Sequence, residues 1–106
     1  MQALRFLPLV ALPLLVGCSF HDDVVTICNA EELSGSNRPE VGVEKKAMVT
    51  ANYIESHIHS GKGKQLFREL GKDAPGREKS ASLQSAAKAE SVTPCPFADK
   101  LAAAKD

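Results

Sequence analysis

Three cysteines, three histidines and a few acidic pairs are the residues of this chain able to do more than pack. The thiols stand at Cys18, Cys28 and Cys95. Thiol–disulfide catalysis places two cysteines close together at a helix start, usually as Cys-x-x-Cys, where the helix dipole favours the thiolate. None of the three has such a neighbour, and the Cys-x-x-Cys-His run that would attach a c-type haem is missing. His57 and His59 flank Ile58, and residues two apart point in nearly opposite directions on a helix, whereas metal ligands want a spacing of three or four. His21, Asp22 and Asp23 sit together in a short polar stretch too flexible to hold a metal alone. Gly61-Lys62-Gly63-Lys64 has the composition of a phosphate loop, but the Walker pattern follows a strand and continues with Ser or Thr. Here Gln65 stands in the hydroxyl place behind a helix, so the stretch reads as a helix break. Glu31-Glu32 and Asp22-Asp23 read as surface charge, and no Ser/His/Asp or Cys/His arrangement declares a nucleophile. The expectation is no catalytic residue, no cofactor, no metal, and a protein that is not an enzyme.

Length and charge bound what is left. A chain of 106 residues holds one small domain. With 13 Lys+Arg against 13 Asp+Glu there is no charge argument for a polyanion, and nucleic acid is not expected as a partner. Much of the apolar content lies near the start: after Arg5, the run Phe6 to Val16 has neither a charge nor a hydrogen-bonding side chain. That run is about half of the roughly 20 apolar residues that cross a bilayer, and it contains Pro8 and Pro13. It reads as a secretory signal peptide. What remains is rich in Ala, and so thin a core calls for a covalent staple.

The apolar run ends in Leu15-Val16-Gly17-Cys18, followed by Ser19. This resembles the bacterial lipobox, in which a Leu three positions before the Cys and a small residue just before it direct lipidation and cleavage by the lipoprotein signal peptidase. The resemblance implies a diacylglycerol thioether on Cys18, which becomes residue one of the mature protein. Two or more acyl chains then hold the protein stably at a membrane. Ser19, in the place where Asp would favour the inner membrane of double-membraned bacteria, implies the outer membrane. A soluble secreted or periplasmic protein cut nearby is the alternative. With Cys18 acylated, Cys28 and Cys95 remain as a pair in an oxidising compartment, and a bridge between them is worth on the order of 4 kcal/mol.

The elements that must position these residues read as helices separated by breakers, with no strand alternation. Residues 1–17 form the signal peptide, 18–25 a lipid-anchored tether that keeps the body within about 25 Å of the membrane, and 26–106 the folded domain. A first helix is expected from Thr26 as N-cap to the stop at Ser34-Gly35. The second opens near Pro39, carries Val43, Ala47, Ala51, Ile54 and Ile58 in one apolar stripe, and closes at Gly61. A third covers about Gly63 to Leu70, a fourth Glu78 to Glu90, and a short last one follows Thr93-Pro94-Cys95-Pro96 with Phe97 and Leu101 as anchors. Lys62, Lys64, Arg68 and Lys72, diluted by Glu69, read as solvated charge, with a basic face toward anionic lipid headgroups or polymer as the functional alternative.

The fold class expected is all-α: an irregular bundle of four to five helices stapled by Cys28–Cys95. Its core should include Ile27, Leu33, Ala47, Ala51, Ile54, Ile58, Leu66, Phe67, Leu70, Leu83, Phe97 and Leu101. Cys28-Asn29-Ala30, Ser34-Gly35 and the late Cys95-Pro96 are similar to small helical, single-disulfide bacterial lipoproteins. The function expected is an outer-membrane lipoprotein acting as a structural or interaction module, with the membrane and an unidentified envelope protein as partners. The alternative is a small periplasmic binding module for a metal or an apolar ligand.

Overall fold

The computed structural model describes residues 19–104. Cys18 and the signal-peptide reading lie outside them. Six helices follow one another: α1 (19–28), α2 (Ala30–Ser34), α3 (Val43–His57), α4 (Gly61–Leu70), α5 (Gly76–Ala89) and α6 (Pro96–Ala103), with no strand among the described residues. The all-helical class is as expected, and Cys28 is bridged to Cys95, 67 positions away.

The beginning of the fold departs most from expectation. Ser19 is already helical, and Asp23, Val24, Ile27 and Cys28 are all buried, so residues 19–25 of the stretch assigned to a tether belong to the first core helix. Thr26 lies inside α1 and caps nothing. The short polar run looked like a linker because one face of α1 carries His21 and Asp22, while the buried face is completed by an acid. Asn29 interrupts the helix between α1 and α2, its side-chain amide donating to the carbonyl of Val25 at 3.0 Å. The stop at Gly35 is as expected: it takes φ 78°, a left-handed conformation open to glycine, and donates to Glu32.

Helix α3 starts at Val43 rather than near Pro39, because the Arg38–Val41 backbone bond turns the chain first and Gly42, extended at ψ 152°, takes the N-cap. The intervening loop is tied down by polar contacts. Thr50 donates to the carbonyl of Lys46 at 2.9 Å and accepts from the buried Ser36 at 2.7 Å. Helix α3 also ends sooner, at His57, and Gly61 opens α4 instead of closing α3. Ser60 is the reason: its hydroxyl accepts from Gly63 N–H at 2.8 Å and caps α4.

Among α2–α6, the α5–α6 hairpin is the most extensive helix pairing. Helix α5 ends in a Schellman motif: Val92 donates to Ala87 at 2.8 Å and Ser91 to Lys88 at 3.1 Å, with Ser91 left-handed at φ 58°. The chain then passes a cis Thr93–Pro94 bond and enters α6 with Pro96 in the first turn. Lys100 on α6 pairs with Glu31 on α2 at 3.1 Å, joining the same two segments as the disulfide.

Ile27, Ile54, Ile58, Leu66, Leu70 and Leu83 are buried as expected, and Phe67, Phe97 and Leu101 pack half-buried against them. Leu33, Ala47 and Ala51 do not join the core. Val24, Ala30, Ala87, Val92 and Ala98, outside the expected set, are core residues.

Candidate functional site

Two features organise the surface: a buried carboxylate that locks the amino-terminal end, and an apolar groove at the other end of α4. Asp23 is 1% exposed and sits against the turn between α3 and α4. The N–H of His59 donates to both its oxygens at 3.0 and 3.2 Å. Ser60 donates twice, from N–H at 2.8 Å and from Oγ at 2.6 Å. A carboxylate taken from water needs such charge-assisted bonds to offset its lost hydration. The contact is so close that a Cβ at Gly63 would overlap the Asp23 side chain. Surface charge is therefore the wrong reading of Asp23, although Asp22 beside it is exposed. Each of its oxygens is engaged by donors of the turn between α3 and α4, and the bonds join α1 to that turn.

The groove, of about 400 Å³, is bounded on one side by Val43, Ala47 and Ala51 of α3. Its floor and far side are Ile54, Phe67 and Leu70 with Phe97 and Leu101 of α6. It exists because only the lower half of the α3 stripe is covered. Ile54 and Ile58 are in the core, while Val43 is 90% exposed. The large hydrophobics exposed among the described residues, Leu33, Val43 and Met48, belong to α2 and α3, and Val43 lines the groove. Lys46 and Glu31 add polar groups to its lining, and Glu31 is already held by Lys100.

The residues singled out for chemistry do not converge. His57 Nδ1 lies 2.8 Å from the Tyr53 carbonyl and its ring stacks on Tyr53 at 3.9 Å. His59 contributes its backbone to Asp23, and His21 lies 3.7 Å from Glu90. Among the described residues no group of three His, Cys, Asp or Glu is placed to hold a metal ion. Cys28 and Cys95 join the end of α1 to the start of α6. Lys62 stands over the Phe20 ring, 5.5 Å from its centroid, Arg68 bonds Gln65, and Lys72 pairs with Glu69. The basic run therefore divides into Lys62 and Lys64 at the start of α4, with Lys62 over an aromatic ring, and Arg68 and Lys72, which bond side chains three residues earlier.

Composition did not mark Asp23, but two signals pointed toward it. Gly63 is a glycine inside a helix, which costs about 1 kcal/mol unless something needs the space. Ser60 stands where an N-cap would.

Among the described residues no helix is long and apolar enough to cross a membrane. The chain matches no protein-family model, no curated protein and no solved structure.

Proposed function

We propose that the chain is an outer-membrane lipoprotein, anchored through Cys18, whose small helical body is an interaction module of the cell envelope. The anchor rests on Leu15-Val16-Gly17-Cys18 and the outer membrane on Ser19. The observation that carries the interaction reading is the open groove on α3. From Val43 to Ile54 it follows about 16 Å of helix at 1.5 Å per residue, three turns. Its wall is low where Ala47 and Ala51 stand, so a second backbone can come close. Those dimensions suit an apolar helical segment of a partner protein, seated by side chains one turn apart.

Two experiments test the two halves. Metabolic palmitate labelling should be lost in Cys18→Ala; labelling that survives the change overturns the anchor. A photo-crosslinker placed at Val43 or Ala47 in intact cells should capture a discrete partner, while one at the exposed Gln84 should not. The Ala51→Arg variant, filling the groove from an exposed position, should abolish the adduct and leave the helical circular dichroism unchanged. Equal adducts at all three positions, or no effect of Ala51→Arg, would sink the interaction reading.

A second reading, a periplasmic binding module for an apolar ligand, draws on the groove's volume, about 400 Å³, within the range of small-molecule sites. Native mass spectrometry of the purified protein would reveal a retained ligand and its displacement by Ala51→Arg.

A further inference from the structure

We infer that the amino-terminal turn of α4, together with Phe20 of α1, is the face that rests on anionic lipid headgroups of the membrane holding the anchor. The inference depends on lipid attachment at Cys18 and adds the attitude of the body on the bilayer. Ser19 is already helical and the chain is buried by Asp23, so the described chain next to an anchored Cys18 is part of the folded body. Consecutive Cα atoms are about 3.8 Å apart, which puts Phe20 within about 8 Å of Cys18.

Phe20 fixes what lies next to the anchor. It packs half-buried against the core and carries Lys62 over its ring. A shallow apolar depression joins Phe20 to Leu66 at this point, bordered by Gly61 and Lys62. The first turn of α4 carries Lys62 and Lys64, both exposed and flanking the buried Gly63, and contains no acid. Gly61, just before Lys62, adds no side chain, and the space around it is open.

Three acids near this end are held by other groups of the chain. Asp23 is enclosed by His59 and Ser60, Glu69 is paired with Lys72 at 2.9 Å, and Glu90 lies 3.7 Å from His21. Asp22 is exposed. Lysines close to a surface of anionic lipid each favour contact by roughly fivefold, an attraction that decays within a Debye length. An aromatic ring beside them adds apolar contact at the acyl boundary. The groove lies at the far end of α4, about 15 Å away for its 10 residues, and so stays open to the aqueous side.

The test uses the lipidated protein purified from membranes and inserted into preformed vesicles of phosphatidylcholine alone or with phosphatidylglycerol. Amines are acetylated with an impermeant reagent and read lysine by lysine by mass spectrometry. Lys62 and Lys64 should react at least about fivefold more slowly on the phosphatidylglycerol vesicles. Lys45 and Lys46, at the groove end of α3, should be unchanged, and 1 M salt should remove the difference. Equal reactivity of all four lysines on acylated protein overturns this inference and leaves the anchor standing. A digest with unmodified Cys18 overturns the anchor itself and this inference with it.

Discussion

Asp23 finds its hydrogen-bond donors 36 and 37 residues downstream, at His59 and Ser60. Removing the carboxylate leaves two backbone N–H groups and a hydroxyl facing a void, and each such orphan costs about 1–3 kcal/mol. Asp23→Ala is therefore expected to cost roughly 3 kcal/mol, a fall in melting temperature of more than about 10 °C for a domain this small. Gly63→Ala should be destabilising too, because the added methyl overlaps Asp23. The two changes act on one contact, so in a double-mutant cycle the second should cost less once the first is made. Strict additivity would show that Gly63 is needed for some other reason. Nothing in the local run His21-Asp22-Asp23 distinguishes the buried acid from the exposed one, because the donors that justify burial lie in another element.

At the scale of elements, the end of α5 offers the cleanest measurement. Ser91 is a non-glycine residue at φ 58°, held there by the paired bonds of the Schellman motif, and an L-residue with a Cβ is strained in that conformation. Ser91→Gly should relieve about 1 kcal/mol and raise the melting temperature by a few degrees. A fall would mean that the Ser91 side chain stabilises the cap. The boundaries of α3 illustrate what periodicity can and cannot convey. Val43, Ala47, Ala51, Ile54 and Ile58 do share a helical face, as the spacing implies. Yet the helix leaves off at His57, with Ile58 N–H as the last to bond back to Ile54, so that His59 and Ser60 can turn their N–H groups to Asp23, and Gly61 consequently starts a helix instead of stopping one.

The whole molecule is held by a bridge between its first and last core helices, reinforced by Lys100 and Glu31. Cys28→Ser and Cys95→Ser should each cost about 2–4 kcal/mol, to the same extent as the double variant, since all three remove one cross-link. Thermal denaturation monitored at 222 nm would check this; an unchanged melting temperature would rule out a stapling role. Local sequence was enough for the helical class, most of the helix inventory, the stop at Gly35 and the end of a helix at Leu70. Those depend on interactions within four residues and on a 3.6-residue period that any reader of the chain can count. Only the tertiary structure decided that Ser19 to Asp23 belongs to the core, that Asp23 is locked under α4, and that Val43, Ala47 and Ala51 line an open groove. An apolar stripe records that a face wants covering, but what covers it depends on contacts distant in sequence. Here the carboxyl-terminal half of α3 is covered, with Ile54 and Ile58 in the core, and the rest of the stripe stays open.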